Sequence, residues 1–232
     1  MIRIFEVRCA GDKKEEIQAQ LLKKLQIKEK DLLSWQIHRK SIDARRNKIS
    51  FSFVIDANVK NENAALKKPG IQPVRDEKYR LPAAGKRPLK HRPVVAGFGP
   101  AGMFAALILA QAGYCPIVIE RGSSLDQRQK DVRTFWQSGS LNPESNVAFG
   151  EGGAGAFSDG KLTTRSKDTR VRKVLEELVR HGAKEDILID QHPHIGSDAF
   201  LPVIQSIRET IRSLGGTFYF DSRLDDLEIK DQ

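Results

Sequence analysis

The chain has 232 residues, 39% of them hydrophobic and 30% charged, which describes one or two globular domains and excludes a disordered or fibrous chain. Its longest apolar run, Met103 to Ala110, is too short to span a bilayer. The N-terminus lacks an apolar signal core, and two distant cysteines exclude a disulfide framework. Charge is uneven: residues 1–93 hold 23 Lys and Arg against 11 Asp and Glu, while the remainder holds 16 against 19, so two units with different surfaces are expected.

Ile2 to Val7 alternates and is rich in β-branched and aromatic residues, which predicts a strand. From Asp12 the spacing of Ile17, Leu21, Leu22 and Leu25 predicts a helix. LLSWQIHR and KISFSFVIDANV read as two further strands. This β-α-β-β order over residues 1–60 predicts a small α+β domain, ferredoxin-like or a truncated relative of that class. Residues 61–92, with prolines at 69, 73, 82 and 88 and Lys67, Lys68, Lys86, Arg87 and Lys90, read as a basic, Pro-rich linker.

Residues 93–232 predict an α/β unit. Residues 92–122 read as strand, turn, helix, turn, strand. A helix follows with Val171, Val174, Leu175, Leu178 and Val179 on one face, Asp168 able to cap its start and Gly182 its end. Another carries Leu201, Ile204, Ile207, Ile211 and Leu214, with Pro202 in its first turn and Ser197 or Asp198 as cap. A last strand is expected over 217–229.

Gly97-Phe98-Gly99-Pro100-Ala101-Gly102 is G-x-G-x-x-G, set between the apolar strand Val94-Val95-Ala96 and an Ala/Leu-rich helix. In that context Gly97 permits the tight turn, Gly99 lets a pyrophosphate reach the backbone, and Gly102 lets helix pack on sheet. The helix start offers N–H groups and a positive dipole end to phosphates. The next strand ends at Glu120, where a carboxylate accepts hydrogen bonds from an adenosine ribose and repels a 2′-phosphate. The expectation is a Rossmann-like dinucleotide site, with Glu120 suiting NAD as well as FAD.

GFGPAG followed by ERG resembles the FAD-binding start of flavin-dependent oxidoreductases. HRKSIDARR (38–46), RPVVAGFGPAGMFAALILAQAG (92–113), NVAFGEGGAGAFSDGKLTTR (146–165) and PHIGSD (193–198) together resemble an uncharacterised family of FAD-dependent dehydrogenases, NAD(P)/FAD-dependent oxidoreductases with a small α+β domain ahead of the flavin fold. The resemblance implies FAD, a redox reaction on an unknown substrate, a cytoplasmic enzyme, and NAD(P)H as a candidate electron donor. It places Arg121 near the adenosine and Arg128 near the phosphates; a solvated helix face is the alternative for both. It also implies that the glycine-rich loop Glu151–Leu162, with Gly152, Gly153, Ser158, Asp159 and Lys161, lies beside the cofactor, a surface Ω-loop being the alternative. Members of that family continue well past residue 232, so the flavin domain is expected to be incomplete. A fragment that binds the ADP part of FAD without turnover follows, or one completed by a partner chain.

Two further readings arise from the residues. GAFSDGKL is one side chain from a P-loop, but Leu162 stands where Mg²⁺ chemistry needs Ser or Thr, and no solid strand precedes it. His192 and His194 lack a third metal ligand at sensible spacing; His194 is a candidate active-site residue. As an alternative function, Phe51 and Phe53, with Phe5, partly resemble the aromatic platform of an RNA-binding sheet, which the basic N-terminal balance would suit; core packing under the helix is the competing reading.

Overall fold

Strict alternation cannot bury both Ile2/Ile4 and Val7/Cys9, because the two pairs differ in parity. The computed structural model, which describes residues 1–45, 48–76, 78–83, 85, 87, 89–164 and 166–229 (Ser197 by its backbone only), meets this with a bulge. Strand β1 (Ile2–Cys9) shifts register between Ile4 and Val7, where Glu6 takes φ 55, and all four side chains reach the core. Arg46, Lys86, Pro88 and the Ser197 side chain, singled out in the sequence, fall outside the described residues.

Helix α1 (Lys14–Leu25) lays Ile17, Leu21 and Leu25 on the same core. Glu15 and Glu16 at its start and Lys23 and Lys24 at its end complement the dipole, and Gln26 closes it at φ 50. Strands β2 (Leu32–Asp43) and β3 (Ser50–Val59) follow, then helix α2 (Glu62–Leu66) and strand β4 (Ile71–Pro73). The sheet is antiparallel in the order β2-β3-β1-β4. Thus α2 and β4 occupy ground that composition gave to the linker. Asn61 caps α2 by accepting from the Ala64 N–H at 3.0 Å, Ala65 and Ile71 join the core, and residues 71–73 pair with 2–4. Residues 166–173 and 185–193 belong to this unit too: the Lys40 N–H donates to the Ile189 carbonyl at 2.7 Å and the Gln191 N–H to the Lys40 carbonyl at 3.0 Å.

The second unit gathers residues 80–165, 174–184 and 194–232. Strands β5 (Val94–Ala96), β6 (Ile117–Ile119) and β7 (Thr217–Tyr219) form a parallel sheet in that order. Helix α3 (Pro100–Gln111) crosses from β5 to β6; helices α4 (Leu125–Ser138), α5 (Arg170–Arg180) and α6 (Ser197–Ser213) follow in the chain. Helices α3 and α6 pack together, burying Met103, Ala106 and Leu107 on one and Ile204, Ile207 and Ile211 on the other. Arg92 fastens the start of the sheet: its guanidinium donates to the Cys115, Pro116 and Gly215 carbonyls and to the Thr217 hydroxyl, at 2.6–3.2 Å.

Two elements differ from expectation. Helix α4 has Leu125, Arg128 and Val132 as its buried residues, too sparse an apolar stripe to stand out in sequence. The strand expected over 217–229 ends at Tyr219, because Asp221 takes φ 51 and its N–H turns to the Gly122 carbonyl at 3.1 Å. Asp168 does cap α5, its Oδ1 accepting from the Arg170 N–H at 2.8 Å. The protein is a mixed α/β chain with one antiparallel and one parallel sheet. Among the described residues no helix is long and apolar enough to cross a membrane.

Candidate functional site

The turn from β5 into α3 is shaped by absent side chains. Gly97 takes φ +88, and its N–H donates to the Ile119 carbonyl at 2.7 Å, closing the parallel ladder. A Cβ on Gly102 would overlap the Gly97 carbonyl oxygen, so only glycine lets the helix start so close to the strand. Gly99 caps α3 with no side-chain bond, and Pro100 at the first helical position contributes no N–H. Ala101, exposed, is the next residue of that first turn.

Glu120 follows β6 and is 5% exposed. Its Oε2 accepts from the Phe98 N–H at 2.6 Å, and its Oε1 from the Gly122 and Gly150 N–H groups at 2.9 and 3.1 Å. One carboxylate therefore ties the β5–α3 turn, its own loop and the glycine-rich segment together. Phe98 is buried edge-on against Phe218, with ring centroids 4.8 Å apart.

A cavity of about 370 Å³ opens where these pieces meet. Gly97 and Gly99 line one wall and Glu120 and Arg121 another. Phe149, Gly150 and Gly153 come from the glycine-rich segment, and Ser222, Arg223 and Leu224 from the turn after β7. Gly153 sits at φ +62, where a Cβ would come within 3.0 Å of the Gly99 Cα, so the two glycines pass backbone to backbone. The guanidinium of Arg121 lies 4.1 Å from the Phe149 ring and is held on its Nε and Nη2 by Glu144.

Arg128 does not line the cavity. It is fully buried, donating through Nε, Nη1 and Nη2 to the Asn146, Glu151 and Val147 carbonyls at 2.9, 2.6 and 3.1 Å, over the ring of Phe157. Burial pulls its pKa down to about 10, against the pull of Glu120 and Glu151. It fixes the segment that brings Phe149 and Gly150 to the cavity. Glu151, also fully buried, accepts on Oε2 from the Leu125 N–H at 2.8 Å and from Arg208 Nη1 at 2.6 Å, while its Oε1 has no hydrogen-bond partner among the described residues. Burial raises its pKa.

The rest of the glycine-rich loop faces elsewhere. Gly152 donates its N–H to the Phe98 carbonyl at 2.8 Å and abuts Ile204, behind the cavity wall. Residues 154–157 form a single 3₁₀ turn, and the Ser158 hydroxyl donates to the Gly155 carbonyl at 3.2 Å. Asp159 and Lys161 form an exposed ion pair at 2.7 Å, which lowers the carboxyl's pKa and raises the amine's. Lys161 bridges to His194, and the Ile195 N–H donates to the Gly160 carbonyl at 2.9 Å; a Cβ on Gly160 would overlap the Ile195 carbonyl oxygen. None of Ser158, Asp159, Lys161 and His194 lines the cavity.

Residues 1–58 match a family described as Domain of unknown function (DUF8436). Over 235 aligned residues, 99% of this chain, the sequence is 45% identical to an uncharacterized protein of Clostridium beijerinckii, of which the match covers 44%. The chain spans less than half the length of that curated relative. Neither match names an activity.

Among the expected site residues, Gly97, Gly99, Glu120, Arg121 and Gly153 meet at the cavity. Phe98, Pro100, Ala101 and Gly102 build its turn, and Arg128 and Gly152 support it from behind. Phe149, Ser222, Arg223 and Leu224 escaped the sequence reading, the last three because they fall inside a segment read as strand. Phe53 is fully buried and Phe51 packs against the core beside it, ring centroids 6.3 Å apart, so that pair lies under α1 rather than on an open platform.

Proposed function

We propose that this chain carries the adenine-dinucleotide site of an FAD-dependent, dehydrogenase-like oxidoreductase acting on an unidentified substrate in the cytoplasm. On this reading residues 94–119 are the first β-α-β unit of a Rossmann-like fold. The β2-β3-β1-β4 sheet, with its β-α-β-β-α-β element run, is a ferredoxin-like domain ahead of it. The observation that carries the proposal is the meeting, at one cavity, of the uncapped start of α3 and the Glu120 carboxylate.

The residues fit the group. The cavity is within the range of small-molecule sites, roughly 300–1,000 Å³. A Cβ at Gly99 would meet nothing nearer than the Gly153 Cα at 3.8 Å, so that space is open to a phosphate. Amide groups and the positive dipole end of α3 favour a diphosphate there. A carboxylate has about four acceptor sites. Three backbone donors occupy Glu120, leaving one lone-pair direction on Oε2 for a ribose hydroxyl. Arg121, backed by Phe149, offers a flat cationic face to an adenine ring. When bound, FAD supplies the hydride and electron chemistry; the chain's own residues bind and orient it. NAD(P)H as electron donor, and a partner chain or further polypeptide that holds the flavin end, belong to the same proposal.

The absorption spectrum of the purified protein, alone and after addition of FAD, tests this. Flavin bands with FAD released on denaturation are expected. A colourless protein that ignores FAD but binds NAD would move the assignment to a nicotinamide cofactor, and one that binds neither would end it.

A further inference from the structure

Arg121 and Arg223 both line the cavity, the first after β6 and the second after β7, and one carboxylate holds both. Glu144 Oε2 accepts from Arg121 Nε and Nη2 at 2.9 Å each, and its Oε1 accepts from Arg223 Nη1 at 3.0 Å. Asp225 takes the other side of Arg223, with Oδ1 2.5 Å from Nε. The Phe149 ring covers a face of Arg121. Glu144 and Asp225 thus match the two guanidiniums charge for charge, and the Glu120 carboxylate lines the same cavity. A guanidinium held edge-on by a carboxylate presents its face rather than its N–H fork. That geometry suits a flat ring and denies a phosphate the paired donors that it needs.

We infer that Glu144 makes this cavity select an adenosine nucleotide with a free 2′-hydroxyl over one bearing a 2′-phosphate; the inference rests on the dinucleotide reading above. A phosphomonoester carries close to two negative charges at neutral pH. On the ribose beside Glu120 it meets a carboxylate, and Glu144 already neutralises both arginines and occupies the Nε–Nη2 fork of Arg121 that would otherwise grip it in paired fashion. Glu144 is a positioning residue, acting through the two arginines. It is the point at which the selectivity is adjustable, since it is 42% exposed and its removal strands no buried polar group. The backbone turn that carries it is fastened separately, by the Asn142 Oδ1 accepting from the Glu144 N–H at 3.0 Å.

Calorimetric titration of the full chain with ADP-ribose and with 2′-phospho-ADP-ribose tests this. The wild type is expected to prefer ADP-ribose by at least about tenfold. In Glu144→Gln that ratio falls by about tenfold or more, mainly through tighter binding of the phosphorylated ligand. Glu144→Asp keeps the wild-type order, and adding Arg223→Gln to Glu144→Gln removes the gain. Unchanged thermal unfolding shows that the variants are folded. The inference is overturned if Glu144→Gln binds ADP-ribose with the wild-type ratio, or if the wild type already favours the 2′-phosphate. A wild type that binds neither ligand removes the dinucleotide reading itself and this inference with it.

Discussion

Gly99 and Gly102 separate binding from folding. Gly99 has φ −73, and a Cβ there would make only an ordinary van der Waals contact, 3.8 Å from the Gly153 Cα, so Gly99→Ala should leave stability within about 0.5 kcal/mol while pushing a diphosphate off the backbone. Thermal unfolding should be unchanged and ADP-ribose binding at least about tenfold weaker. Gly102→Ala must displace the Gly97 carbonyl, an overpacking cost of about 1–3 kcal/mol or more, and should lower both melting temperature and affinity. Equal effects of the two substitutions would count against a ligand at Gly99. Glu151 gives a pH signature. Its pKa is raised above 4.5 by burial, so between that value and the raised one the folded protein holds more protons than the unfolded chain. Its contribution to stability is therefore fully present at low pH and declines as pH rises through the window. The stability difference between wild type and Glu151→Gln should shrink from about pH 4.5 toward neutrality, as read by thermal melts in a pH series. A difference that grows with pH would show that the Arg208 ion pair, at 2.6 Å, outweighs the cost of burial.

At the scale of elements, the parallel sheet depends on a residue outside every strand. Arg92 gathers the carbonyls of Cys115, Pro116 and Gly215 and the Thr217 hydroxyl, so one guanidinium sets the level at which β6 and β7 begin beside β5. Arg92→Met should cost about 0.5–1.5 kcal/mol, since most of these acceptors are exposed and return to water, and should weaken nucleotide binding only as far as the unfolded fraction grows. Denaturant titration beside ligand titration reads the two apart. Elements with strong periodicity were legible in the sequence: α1, α3 and α6, the long strands, and the G-x-G-x-x-G turn with its downstream acid. Helix α4 was not, because its buried side includes an arginine, and a charged residue reads as solvated until its three carbonyl partners are known. The end of β7 was hidden for a related reason. TFYFDSRLDDLEI keeps strand-like composition past the point where Asp221 turns the chain, and that turn delivers Arg223 and Leu224 to the cavity.

Across the whole molecule, three strands of the first unit's sheet followed from local patterns, but β4 and the return segments did not. That residues 185–193 come back to β2 depends on backbone bonds to Lys40, for which no local signal exists. The relation between the glycine-rich segment and the first β-α-β unit was likewise a matter of tertiary contact: Gly153 against Gly99, and Gly150 bonded to Glu120. Five glycines between residues 150 and 160 would ordinarily mark a place where proteases nick a chain. Here Gly152 is bonded to Phe98 at one end, and at the other Gly160 lies flush against Ile195. A cleaving enzyme needs several consecutive residues drawn out as an extended strip, which neither attachment permits. Brief digestion with a broad-specificity protease should therefore cut first around residues 78–83, which are largely exposed and form neither helix nor strand, and the larger early fragment should retain the glycine-rich segment whole.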